Sequence, residues 1–262
     1  MLPFLSRRIP ELALLLTALL LPALAAGAQN AAEIPGQTVW SAPYTWSAFG
    51  EYSGDSSHIL LGYSDKRILL ALGGGFSMRL HQDRFGELDW SPEVRPLMLE
   101  SDPVMTQTTL LVSDGQSPQV DNLRRGIPVL DPVNPVAAWQ VQLQGGPVVN
   151  VVETAKYARR WTYAGGFSPL GFRWIFLPHS RVQPLAGLNA GFAVSPRDIP
   201  MFDTSAFNFT FSFGGGFQLW RNPTHATRIE YRFHHLSNAG IGSLDPGIDS
   251  QLIQLSYVWG WR

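Results

Sequence analysis

Between Phe207 and Trp220 the sequence alternates with a period of two, and that stretch excludes most folds. Phe207, Phe209, Phe211, Phe213, Phe217 and Leu219 fall on odd positions, opposite Asn208, Thr210, Ser212 and Gln218. Successive side chains of a β-strand point to opposite faces, so one face here is bulky and apolar and the other polar. A soluble sandwich or lipocalin-like barrel would turn the large face inward. The interior of a small barrel has little room for it. Side chains of this size belong on the outside, against lipid.

The C-terminal stretch repeats the pattern. From Thr227 the odd positions are Thr227, Ile229, Tyr231, Phe233, His235 and Ser237, against Arg228, Glu230, Arg232, His234 and Leu236. A run rich in turn residues follows (Asn238, Ala239, Gly240, Gly242, Asp245, Pro246 and Gly247). Beyond it Asp249, Gln251, Ile253, Leu255, Tyr257 and Trp259 alternate with Ser250, Leu252, Gln254 and Ser256. Arg228–Trp259 therefore reads as a hairpin with one apolar and one polar face. His234, beside Arg232 and Glu230, belongs to an interior polar network.

Earlier segments add strands at Ser57–Tyr63, Arg67–Leu80, Leu88–Leu99, Trp161–Phe176 and Val182–Val194. With Phe207–Trp220 and the two hairpin arms, the sum is eight strands, an even number as in outer-membrane barrels. From the third strand onward the connections alternate long and short, as external loops and periplasmic turns do. The fold expected is all-β: an eight-stranded antiparallel transmembrane β-barrel of the bacterial outer membrane. Residues 57–262 form it, with a long, proline-dotted loop at about 101–158 whose Arg124 and Arg125 are solvated or meet lipid phosphates. Residues 29–56, polar and rich in Gly and Pro, read as an N-terminal extension.

Residues 1–28 read as a signal peptide. Arg7 and Arg8 precede the apolar run Leu12–Leu21, and Ala23-Leu24-Ala25 and Ala26-Gly27-Ala28 offer small-residue cleavage sites. After it no stretch approaches the ~20 apolar residues of a spanning helix. A net charge of −1 gives no basic field to attract nucleic acid, and the absence of cysteine removes disulfides and thiolate metal sites.

Chemistry concentrates in the hairpin. His235 and Ser237 share a strand face with Cα atoms roughly 6.5–7 Å apart, and Asp249 emerges on that face from the neighbouring strand. Serine becomes a nucleophile when a base takes its proton, and the base works best when a third group fixes its tautomer. The Asn238-Ala239-Gly240 turn offers N–H groups to an oxyanion. Spacing alone also suits an interfacial histidine beside a turn-capping serine. What favours chemistry is the setting, because polar groups on a lipid-exposed face are costly.

These residues resemble the outer-membrane lipid A 3-O-deacylases (PagL type). The resemblance lies in His235-Leu236-Ser237-Asn238-Ala239-Gly240 and Asp245-Pro246-Gly247-Ile248-Asp249. The family's pattern is H-x-S-N-x-G followed by N-P-G-x-E at matching spacing. It implies a serine esterase that removes an ester-linked acyl chain from lipid A at the outer leaflet, with His235 as base, Ser237 as nucleophile and Asp249 as orienting acid. No metal or other cofactor is implied. The acid is Asp249 where the family has Glu, one methylene longer, so it must approach His235 more closely. Asp245 stands where the family has an Asn that serves as a candidate oxyanion donor; a carboxylate there opposes an oxyanion unless it is protonated or turned away.

The expected partners are lipid A or lipopolysaccharide as substrate and the outer membrane itself, with two barrels free to pair as a homodimer. Two other readings fit the same residues: an esterase for another membrane lipid, and a non-catalytic barrel used for adhesion or structural support.

Overall fold

The computed structural model describes residues 40–261, apart from 57–58, 63–65, 113–129, 131, 133, 143–145 and 201–203. The expected signal peptide, the expected extension up to residue 39, and Arg124 and Arg125 lie outside the described residues. Among the described residues all regular structure is strand: β1 (Tyr44–Ser56), β2 (Arg67–Gln82), β3 (Gly86–Trp90), β4 (Glu93–Val112), β5 (Val136–Gln142), β6 (Val148–Phe176), β7 (Val182–Ile199), β8 (Ser205–Asn222), β9 (His225–Ser237) and β10 (Ile248–Trp261). Among the described residues no helix is long and apolar enough to cross a membrane.

The strands close into a ring. β1 pairs with β2 on one side and with β10 on the other, both antiparallel. The rest run in order through β6, β7, β8 and β9. β3 and β4 share one place, since both pair with β2 and with β6. They are parted at Ser91 and Pro92, where the Ser91 N–H donates to the Gly171 carbonyl at 2.8 Å and the Phe76 N–H to the Pro92 carbonyl at 3.1 Å. The ladder thus continues across the break, and the ring has eight strand positions: an antiparallel outer-membrane β-barrel. β5 lies off the ring and pairs with β6.

Three boundaries differ from the sequence reading. Tyr44–Ser56, expected to end an extension, is β1, so the barrel begins at Tyr44 rather than Ser57. Its inward residues include Thr45, Glu51 and Ser53, while Tyr44, Trp46 and Tyr52 face out. Mixed polar residues hid an alternation that is plain once Glu51 has a partner inside. Ile59–Gly62, expected in a strand, belongs to the connection between β1 and β2. Its apolar run imitates a buried strand.

The third difference is at 101–158. β4 runs on to Val112, and β6 starts at Val148. Ser101–Trp161 forms a compact unit of its own. Within it β5 pairs with β6 from Val136↔Thr154 to Gln142↔Val148, and Asp102 accepts from the Arg160 guanidinium at 2.6 Å. A local strand at Val148–Val152 is readable in the sequence and opens β6. The extension of β4 was not, because Met105–Thr109 are exposed on both faces, which erases the period of two.

The interior of the ring is filled. At the end of the longer connections Leu69, Met98, Leu236, Ile248, Ile199 and Leu252 form an apolar plug. Below it Arg95 donates to Glu51 at 2.7 and 2.9 Å and to Glu93 at 2.8 Å. Arg232 donates to Glu93 at 2.8 and 2.9 Å and to Glu230 at 3.0 Å, and Arg173 reaches Glu93 at 3.3 Å. The charges balance and are buried in pairs, the condition under which buried ions are tolerated. This network ties β1, β4, β6 and β9 together from within. His234 is interior, as expected, yet its ring nitrogens find no hydrogen-bond partner among the described residues. At the short-turn end Ala42, Trp220, Ala226 and Val258 form a second plug.

Outside, the alternation holds. Phe211, Phe213, Phe217, Leu219, Ile229, Tyr231, Ile253, Leu255 and Tyr257 are exposed, whereas Asn208, Ser212, Gln218, Arg228, Glu230 and Arg232 are buried. Near the short turns Tyr44, Trp46, Phe76 and Trp261 stack against one another, the position of an interfacial aromatic girdle.

Candidate active site

The register of β9 and β10 sets His235 directly opposite Asp249, and that of β8 and β9 sets it beside Phe211. All three lie on the outward, odd-numbered face. His235 Nδ1 and Asp249 Oδ1 are 2.7 Å apart. The shorter acid does make the close approach that its length demands. With Nδ1–H donated to the carboxylate, the assigned tautomer leaves Nε2 able to accept a proton.

Asp249 is fully buried although it points outward. Its cover is the connection between β1 and β2. Oδ2 accepts the Leu60 N–H at 2.7 Å, the Leu61 N–H at 2.8 Å and the Ile59 N–H at 3.3 Å. One carboxylate oxygen thus serves the histidine and the other the loop. These amide donors escape sequence reasoning: their side chains spell an apolar run, and Leu60 lies 189 positions from Asp249. The only hint in the residue order is Gly62. A Cβ there would sit 2.5 Å from the Asp249 backbone nitrogen and 3.0 Å from its Cγ.

Ser237 ends β9 on the same face, half-buried. Its hydroxyl accepts the Ala239 N–H at 3.3 Å, and among the described residues no hydrogen bond joins it to His235. Catalytic contacts in unliganded sites are often long and tighten when substrate binds.

The turn beyond Ser237 is held by its own groups. Ala239 and Gly240 have φ of 51° and 77°. The Asn238 amide nitrogen donates to the Leu244 carbonyl at 2.7 Å, and the Gly240 N–H to Asn238 Oδ1 at 2.8 Å. Asp245 accepts the Asn238 N–H at 3.2 Å and the Gly240 N–H at 3.1 Å. Two of the turn amides expected to face an oxyanion are therefore already engaged, and the Asp245 carboxylate is directed at them. Among the described residues no group of three His, Asp or Glu side chains could hold a metal ion.

Ring, outward apolar belt and filled interior define an outer-membrane β-barrel, here with a hydrogen-bonded His–Asp pair and a serine on its lipid-facing side. Residues 134–258 match the family model described as lipid A 3-O-deacylase (PagL). The match takes in His235, Ser237, Asp245 and Asp249, and leaves out β1 to β4 and the loop over Asp249. Among solved structures, the outer membrane enzyme PagL is 12% identical, with 80% of this chain and 97% of that one covered and a TM-score of 0.47. Neisserial surface protein A is 10% identical, with 84% and 97% covered and a TM-score of 0.42. Ail of Yersinia pestis is 9% identical, with 82% and 98% covered and a TM-score of 0.33. None of the curated proteins matches the chain.

Proposed function

We propose that this protein is a lipid A deacylase, a serine esterase that hydrolyses an ester-linked acyl chain of lipopolysaccharide at the outer leaflet. The observation that carries the reading is the His235–Asp249 bond of 2.7 Å on the outward face, two residues from Ser237 and inside a stretch matched to the deacylase family. A buried carboxylate spent on a histidine at the lipid surface has an evident use if that histidine must become an imidazolium.

In this mechanism the Ser237 hydroxyl turns from the Ala239 N–H toward Nε2 of His235 as substrate binds. Oγ attacks the ester carbonyl while its proton passes to Nε2, and Asp249 stabilises the resulting imidazolium. The tetrahedral intermediate collapses, the C–O bond to the sugar breaks, and His235 returns the proton to the departing alkoxide. Water then attacks the acyl-enzyme with Nε2 again as base, and a fatty acid is released. For the oxyanion we assign the Ala239 N–H, the turn amide freed when Ser237 swings away; Asn238 and Gly240 hold the turn in shape and Asp245 clamps it.

The test is mass spectrometry of lipid A from cells with and without the protein, repeated with Ser237→Ala. Loss of one acyl chain with the wild type alone supports the reading. An identical lipid profile in all three refutes it.

A further inference from the structure

The loop between β1 and β2 lies outside the stretch that matches the family, yet its backbone N–H groups bond to the acid. We propose that the backbone N–H groups of Leu60 and Leu61 are positioning groups for Asp249, so that the site is completed by a loop from the opposite end of the chain. The proposal rests on the Ser237–His235–Asp249 reading above.

The geometry carries it in three ways. First, Oδ2 takes two short bonds, 2.7 Å from Leu60 and 2.8 Å from Leu61, with the Ile59 N–H at 3.3 Å. Converging N–H groups fix a carboxylate in place and orientation, and bonds to a charged group are the strong ones. Second, the side chains of these donors are largely exposed: Leu60 and Leu61 are 64% and 57% exposed. Third, Gly62 lets the backbone lie against the strand, since a Cβ would meet Ile248 and Asp249 backbone atoms at 2.9 and 2.5 Å.

The arrangement also gives the short acid a reason. A β10 carboxylate faces His235 on one side and the loop on the other, and the loop occupies the room that a further methylene would need. Asp249 reaches both partners at hydrogen-bond length only because it is short. The loop acts on Asp249, and Asp249 acts on His235; none of the loop's atoms need touch the substrate.

Proline lacks a backbone N–H, so Leu60→Pro deletes one of the two short bonds while leaving Asp249 intact. The test is kcat and KM for the full chain on purified lipid A in detergent, in two backgrounds: wild type and Asp249→Asn. With Asp249 present, Leu60→Pro should lower kcat by roughly 10- to 100-fold, the loss expected for one hydrogen bond to a charged group, and leave KM unchanged. With Asp249→Asn the same change should cost no more than about twofold, because the side chain that the loop holds no longer accepts from His235 Nδ1–H. An equal loss in both backgrounds, or none in either, overturns the positioning role while leaving the triad intact. If Asp249→Asn alone leaves kcat unchanged, the triad reading fails first and the loop's role falls with it. Should Leu60→Pro fail to assemble, judged by heat-modifiable gel migration, Gly62→Ala enters the same cycle with the same outcomes expected, since its methyl lifts the loop off Asp249.

Discussion

Gly247 lies against the ring of His235: a Cβ on the glycine would stand 3.0 Å from His235 Cε1 and 3.7 Å from Nε2. The glycine also has φ of +60°, where an L-residue is strained by roughly 1–2 kcal/mol. Gly247→Ala should therefore push the imidazole aside without disturbing the strands. We expect turnover to fall by roughly tenfold, a barrier change of ~1.4 kcal/mol, with heat-modifiable gel migration unchanged. Wild-type turnover in this variant would mean that the imidazole has freedom the structure does not show.

Asp249→Asn should keep the barrel folded and reduce turnover heavily. The corresponding change in a serine protease triad costs about 10⁴ in rate. The resemblance alone suggests that Asp249→Glu would be tolerated, because the family's acid is Glu. The structure argues otherwise: Oδ1 is bonded to His235 at 2.7 Å and Oδ2 to two loop amides at 2.7 and 2.8 Å. An added methylene has nowhere to go, and overpacking typically costs about 1–3 kcal/mol. Kinetics of both variants on purified lipid A should place Glu between wild type and Asn.

We expect Asp245 to act as a clamp on the turn rather than at an oxyanion. Because both of its oxygens accept turn amides, Asp245→Asn removes an acceptor and presents an NH₂ to an N–H. Turnover should not rise, and the turn should weaken by about 1 kcal/mol, the worth of an ordinary hydrogen bond. Limited proteolysis at 238–247 reads the second effect directly. A gain in rate would restore an oxyanion role to this position.

The interior gives an independent prediction. Glu93 meets Arg95, Arg232 and Arg173 at 2.8, 2.8 and 3.3 Å. Glu93→Gln leaves these guanidiniums with too little negative charge, and breaking a buried pair costs about 3–5 kcal/mol. Urea titration of the refolded barrel, followed by tryptophan fluorescence, should show the loss. Activity of the surviving folded fraction should be near normal, since Glu93 is inside and the site is outside.

Much of this was legible because lipid outside and a narrow interior force a strict period of two. Phe207–Leu219 and the hairpin arms obey it, and the outward face of His235 and Asp249 followed from counting alone. β1 was missed because its inward Glu51 reads as a solvent residue until Arg95 is placed beside it across the ring. The loop over Asp249 was missed for a deeper reason. Its contribution is made by peptide N–H groups, which every residue but proline possesses, so the identities of Ile59, Leu60 and Leu61 carry no trace of it.

The two plugs and the ion network between them have a consequence for traffic. Among the described residues these buried side chains fill the interior, and His235 lies on the outward face. On the proposed function, substrate drifts to it sideways, within the plane of the membrane, and the released chain leaves the same way. We therefore expect turnover to follow the mole fraction of substrate in the surrounding leaflet. Diluting the surface with inert detergent should slow the protein even when the bulk concentration of substrate is held constant.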